Sequence, residues 1–156
     1  SLGEGVDMIL DGGPSQVGLE STVVGFLGAT PQLLRPGGFA REQIENCLGS
    51  KLAAPEAGPL HAPGQLESHY APRAALRLNA LQPEDGEVYL GFGAHDHGPH
   101  SLSRRGDVSE AAANLFRLLH ELDAGGAARI AVAPIPNTGL GEAINDRLRR
   151  AAAPRP

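Results

Sequence analysis

Apolar and polar positions fall into two patterned blocks separated by a stretch with no period. In the first block, Val6–Leu10 is a short apolar run stopped by Asp11-Gly12-Gly13-Pro14, which predicts a strand ending in a turn. Thr22–Leu27 is rich in β-branched and aromatic residues and predicts a second strand; Gln32–Leu34 predicts a third. Gly28-Ala29-Thr30-Pro31 suits the connection between them. Arg41–Leu48 predicts a short helix with Ile44, Cys47 and Leu48 on one apolar face and Gly49 as its stop. On that face Cys47 reads as a small core residue rather than a reactive thiol.

Residues 51–73 break every pattern. Pro55, Gly58, Pro59, Pro63, Gly64 and Pro72 predict an extended linker. Periodicity returns after it. Ala75–Leu78 and Val88–Phe92 are strand-like, and little room exists between them for a helix. Ser109–Leu122 predicts an amphipathic helix, with Ser109 as N-cap, Ala112, Leu115, Phe116, Leu119 and Leu122 on the inner face, and Gly125-Gly126 as the stop. Ala128–Ala133 is a continuous apolar run, as in a strand buried on both faces. Gly139–Ala152 predicts a last helix with Leu140, Ile144 and Leu148 inside. Its Arg147, Arg149 and Arg150 lie toward the C-terminus, where cations suit the helix dipole. The expectation is an α/β protein whose residues 74–156 form a small open, Rossmann-like sheet.

Composition narrows the function classes. Net charge is −5 and aromatics are 4%, with no Trp, so neither a basic field nor a base-stacking platform points to strong direct nucleic-acid binding. No apolar run approaches the ~18 residues of a membrane span, so no membrane association is expected. The single cysteine excludes a disulfide framework within the chain and any multi-cysteine zinc site. The chain opens Ser1-Leu2-Gly3 without methionine or a signal-type stretch, and a strand this near the start suggests sequence upstream.

Several residues could carry chemistry. In Gly18-Leu19-Glu20-Ser21-Thr22-Val23, two hydroxyls at the mouth of a strand could hold a carboxylate or phosphate, or simply bond the strand edge. Arg35, in Leu34-Arg35-Pro36-Gly37-Gly38, could clamp a phosphate, stack on a base or form a surface ion pair. His95-Asp96-His97-Gly98-Pro99-His100 has metal-ligating residue types, but on loop spacing that favours a solvated loop. Gly139-Leu140-Gly141 lacks the spacing of a dinucleotide fingerprint and favours a turn with tight packing. Neither a Gly-x-Ser-x-Gly elbow nor a Walker-type loop occurs, and Lys51 is the only lysine.

Three strings, Asp11-Gly12-Gly13-Pro14, Gly18–Val24 and Leu34–Gly38, resemble the end of the YrdC-type catalytic domain. Pro63-Gly64 with Ser68-His69-Tyr70-Ala71-Pro72 resembles the linker of the two-domain Sua/YrdC-type threonylcarbamoyl-AMP synthases. Ala113–Phe116, Leu122-Asp123 and Gly139–Leu148 resemble that family's C-terminal domain. The resemblance implies three parts: 1–50 as the C-terminal part of the YrdC-like domain, 51–73 as linker, and 74–156 as the C-terminal α/β domain. It implies a nucleotidyltransferase that joins L-threonine, bicarbonate and ATP, the ATP carrying Mg2+, into threonylcarbamoyl-adenylate in the cytoplasm. A downstream complex then transfers the threonylcarbamoyl group to tRNA. By the same resemblance Ser21 holds threonine, while Arg35 and Tyr70 contact ATP, with no catalytic or metal-binding residue assigned in the chain.

Departures accompany the matches. The family's Lys-x-Arg and Ser-x-Asn elements lie upstream of anything present here, and Gly25 stands where the family pattern suggests an acidic residue. The chain by itself is therefore expected to be inactive. Rival readings are a non-catalytic module that docks on a partner chain, a metal-binding protein built on His95, His97 and His100, and an RNA-binding accessory, which the acidic balance disfavours.

Overall fold

The computed structural model describes residues 5–13, 15, 17–26, 28–54 and 72–153. Two sheets organise them. A hairpin pairs β1 (Val23–Gly25) with β2 (Gln32–Arg35) in antiparallel register, with Val23 opposite Arg35 and a bulge after Val23. Helix α1 (Arg41–Leu48) follows. The second sheet contains β3 (Ala75–Arg77), β4 (Val88–Phe92), β5 (His100–Ser103) and β6 (Arg129–Val132) in the spatial order β3-β6-β4-β5, every neighbouring pair parallel. Helices α2 (Val108–Ala124) and α3 (Leu140–Ala152) pack on it and on each other. The expected α/β architecture with an open parallel sheet is thus observed.

The core follows from the sequence pattern. β6 is Arg-Ile-Ala-Val, and Ile130, Ala131 and Val132 are fully enclosed because β6 is an interior strand covered on its faces. α2 buries Ala111, Ala112, Leu115, Leu118, Leu119 and Leu122 against Leu90, Leu102 and Ile130, and each enclosed leucine contributes about 1.5–3 kcal/mol. α3 adds Ala143, Ile144, Leu148 and Ala151.

Several expectations need correction. Val6–Leu10 is not a strand. No strand among the described residues pairs with it, and Met8, Ile9 and Leu10 are exposed, so composition alone did not form a ladder. The strand expected over Thr22–Leu27 contracts to Val23–Gly25, and Leu27 lies outside the described residues. The N-cap of α2 is Asp107, not Ser109: its carboxylate accepts from the Ser109 and Glu110 amides, and that bonding holds its pKa below the usual range. Phe116 is only half-buried; Leu118 takes the inner position.

Cys47 is exposed rather than in the core, as is Leu48. The inner face of α1 instead presents Glu45, whose carboxylate accepts from the Leu52 amide (3.0 Å) and Lys51 Nζ (2.6 Å). The first linker residues are not free of structure either. Leu52 is buried, and Ala53 joins the hairpin, its carbonyl accepting from the Leu33 amide (2.9 Å) and its amide donating to the Pro31 carbonyl (2.9 Å). Residues 55–71 lie outside the described residues, including the linker segment that carries Tyr70.

The histidine stretch is a crossover as well as a loop. Residues 93–99 carry the chain from β4 to its parallel neighbour β5, a connection that usually needs a dozen or more residues. It succeeds because it runs directly over Gly91, where a Cβ would come within 2.6 Å of Asp96 Oδ1. Asp96 is in turn anchored by Arg104 at 2.6 Å. β5 was missed in the sequence because His-Ser-Leu-Ser is mostly polar.

Candidate functional site

The residues singled out at Ser21 and Arg35 meet at one end of the hairpin. Ser21 lies just before β1 and Arg35 closes β2, so antiparallel pairing brings them together. Arg35 donates from Nε (3.1 Å) and NH2 (2.9 Å) to the Ser21 carbonyl, and from NH2 to Ser21 Oγ (3.2 Å). The guanidinium fork therefore fixes the backbone and hydroxyl of Ser21 together. Ser21 is exposed and Arg35 half-buried, as a site open to a ligand requires.

The segment after β2 folds back on the segment before β1. The Gly38 amide donates to the Glu20 carbonyl (2.8 Å), Thr22 Oγ1 donates to the Phe39 carbonyl (2.6 Å), and the Phe39 amide donates back to Thr22 Oγ1 (3.0 Å). Gly37 is needed for this approach. A Cβ there would sit 2.4 Å from the Glu20 carbonyl oxygen and 2.5 Å from the Ser21 carbonyl carbon. Ser21 lines a hollow of about 420 Å³ with Val17, Leu19, Thr22 and Phe39. A larger cleft of about 660 Å³ lies between Leu19, Glu20, Pro72 and the α2 residues Phe116, His120 and Asp123. It contains neither Ser21 nor Arg35, so the chemistry and not the volume locates the candidate site.

This end of the hairpin rests on α3. Arg147 donates from Nε to Glu20 Oε2 (2.8 Å) and from NH2 to the Pro36 carbonyl (3.1 Å), and it also pairs with Asp146. Its side chain is only 4% exposed. Burial pushes the Glu20 carboxyl up, but the hydrogen bond from Arg147, its own backbone and the charges of Arg147 and Arg35 hold it below the usual carboxylate range. A second tie is Arg41 on Glu142, through Nε (3.0 Å) and NH2 (2.6 Å), while the Gly139 amide donates to Glu42 Oε1 (3.2 Å).

Other candidates separate from this site. His97 stacks on Tyr89 at 5.8 Å and meets His95 edge-on at 6.2 Å. Among the described residues no three His, Cys, Asp or Glu side chains are grouped to hold a metal ion. Gly139 starts α3 with φ +57°, and Gly141 packs against Pro136, in keeping with a tight turn. Among the described residues no helix is long and apolar enough to cross a membrane.

Comparison with known proteins now bears on this geometry. The family model for the threonylcarbamoyl-AMP synthase C-terminal domain matches residues 39–153. The chain belongs to this family. It is 32% identical to the threonylcarbamoyl-AMP synthase of Pyrococcus abyssi and 33% identical to that of Bacillus subtilis, over 94% of this chain and 49% of each relative. It therefore spans about half the length of these curated relatives. A crystal structure of P. abyssi Sua5 complexed with L-threonine superposes with a TM-score of 0.75 at 31% identity, covering 91% of this chain and 48% of that one. A structure of P. abyssi Sua5 in which an adjacent histidine and tyrosine are both replaced by alanine superposes at 0.71 with 29% identity, covering 91% of this chain and 47% of that one.

Sequence reasoning singles out Ser21 and Arg35 in this family member but assigns Arg147, with Arg149 and Arg150, to the helix dipole and does not link it to them. A signal was present. Ile144, Arg147, Leu148 and Ala151 fall on one stripe at helical spacing, so Arg147 shares the inner face with the apolar residues.

Proposed function

We propose that this chain is the C-terminal half of an L-threonylcarbamoyladenylate synthase and supplies one wall of its active site. The amine of L-threonine and bicarbonate condense to a carbamate with loss of water, and the carbamate oxygen displaces pyrophosphate from the α-phosphate of ATP. The observation that carries the reading is the superposition on a threonine-complexed relative, together with the Ser21–Arg35 pair at the exposed end of the hairpin. Ser21 Oγ holds the threonine, oriented by Arg35. The Arg35 guanidinium faces the nucleotide side, so the two substrates share one fork of donors. Tyr70 contacts the nucleotide; it belongs to the only His-Tyr dipeptide in the chain, His69-Tyr70, and an adjacent His and Tyr were the residues replaced in the relative. Magnesium enters with ATP as part of that substrate. The product is consumed in the cytoplasm by a complex that modifies tRNA.

The test is pyrophosphate release from ATP and bicarbonate, with and without L-threonine. It is run on this chain alone and on this chain joined behind the upstream half of the P. abyssi relative, each first verified as folded by a cooperative melt. The expected result is no threonine-dependent release from the chain alone and clear release from the joined chain, lost in its Ser21→Ala variant. Threonine-dependent release from the chain alone would overturn the division of the site between two halves. A folded joined chain with no release, or with release indifferent to Ser21→Ala, would overturn the assignment of the site.

A further inference from the structure

We infer that Arg147, on the last helix, is a positioning residue for the substrate site: it holds the Ser21–Arg35 pair in place from beneath, without touching substrate. The inference rests on the proposed role of that pair. Its basis is where the two long-range bonds of Arg147 land. One goes to the side chain of Glu20, the residue before Ser21; the other goes to the carbonyl of Pro36, the residue after Arg35. One planar guanidinium thus spans the two chain segments whose side chains form the candidate site. A lysine there could meet Glu20 or the Pro36 carbonyl but could not fix both in one plane.

Two further observations make this a built arrangement. Asp146 accepts from Arg147 and also from Arg150 Nε (2.9 Å) and NH2 (3.1 Å), so the guanidinium is braced from its own helix. The bidentate Arg41–Glu142 pair and the bond from the Gly139 amide to Glu42 fix the start of α3 against α1. The C-terminal sheet domain therefore acts on the substrate end of the hairpin through a defined contact. Because Gly37 is in close approach to the Ser21 peptide, a displacement of Pro36 is transmitted directly to Ser21.

The experiment uses the 156-residue chain and proton–nitrogen NMR. Solvent exchange of the Arg35 Nε–H, identified by its loss in Arg35→Lys, reports the bond to Ser21; the Ile130 and Val132 amides report the sheet core. Arg147→Met, Arg147→Lys and Glu20→Gln are compared. The expected result is Arg35 Nε–H exchange accelerated by about tenfold or more in Arg147→Met, with smaller accelerations in Arg147→Lys and Glu20→Gln, and unchanged core amides in the latter two. Unchanged Arg35 exchange in the variants that fold overturns the positioning role. Equal acceleration at Arg35 and in the core also overturns it, because it marks a merely structural residue. If Arg147→Met does not fold, Glu20→Gln decides. Threonine at Ser21 is tested separately, in the joined chain, by the effect of Ser21→Ala on threonine-dependent release. Accelerated Arg35 exchange together with release indifferent to Ser21→Ala keeps the mechanical link and removes threonine from Ser21, so the two failures are distinguishable.

Discussion

Replacing Gly141 by alanine sets two effects of opposite sign against each other. Gly141 lies in the first turn of α3, and helix propensity alone predicts that alanine stabilises by up to about 1 kcal/mol. The surroundings predict the reverse. A Cβ at 141 would lie 1.9 Å from the Pro136 carbonyl oxygen, where an ordinary carbon–oxygen contact needs about 3.3 Å. The obstacle is backbone, so α3 and the turn before it must separate by roughly 1.4 Å. That turn is tied to the helix by the Gly141 amide on the Thr138 carbonyl (3.0 Å) and by Asn145 Nδ2 on the Ile135 carbonyl (3.0 Å). Overpacking typically costs about 1–3 kcal/mol, and each hydrogen bond disturbed adds about 1 kcal/mol. The net expectation is destabilisation of about 2–4 kcal/mol, a fall in Tm of about 5–15 °C. Thermal and urea melts followed by circular dichroism at 222 nm measure it. Ala113→Gly, at an exposed position in α2, sets the size of the propensity effect in this chain. A Gly141→Ala protein with unchanged or raised Tm would refute the close approach to Pro136 and make the glycine incidental.

Three further expectations are more direct. Leu115→Ala empties a fully buried position on α2 and should cost about 2–5 kcal/mol, read as a lower urea midpoint at unchanged m-value. Asp107→Ala removes the acceptor for the Ser109 and Glu110 amides and should cost about 1 kcal/mol, while Asp107→Asn should retain most of it. Glu87, whose side chain is 1% exposed, has its pKa lowered from 4.5 to about 2, chiefly by its hydrogen bond from Arg77 and then by the Glu84 amide and the charge of Arg129. A depressed carboxylate stabilises fully above its unfolded value and loses that contribution as pH falls. Tm should therefore decline as pH drops from 4.5 toward 2, and the decline should be shallower in Glu87→Gln.

Much of the fold could be read from periodicity, because the elements with strong patterns are also the most enclosed. β4, β6, α2 and α3 have apolar positions that no solvent-facing arrangement could accommodate, and the bounds expected for α1 match those observed. Polar residues with partners distant in sequence were harder to read. β5 is a strand because β4 offers it a parallel edge. Asp107 caps α2 because the turn after β5 places it two residues before the residue expected to do so. Glu45 rather than Cys47 turns inward because Leu52 and Lys51 return to meet it. The candidate site divides the same way. Ser21 and Arg35 each lie in a recognisable string, but their mutual contact depends on hairpin register, and Arg147 could be linked to them only once α3 was placed against Glu20.

The bond from Arg147 to Glu20 spans 127 positions and joins α3 to the segment before β1. During synthesis, Glu20, Ser21 and Arg35 emerge from the ribosome long before their brace exists. The hairpin can form early from its local pairing, but its Ser21–Arg35 end can be locked only after α3 has been translated and released. A ribosome stalled before α3 would expose a hairpin with its register formed and its Ser21 loop still loose. Locking of the Ser21 loop is thus timed by the synthesis of α3, and loss of that helix should unsettle a loop encoded 127 codons upstream.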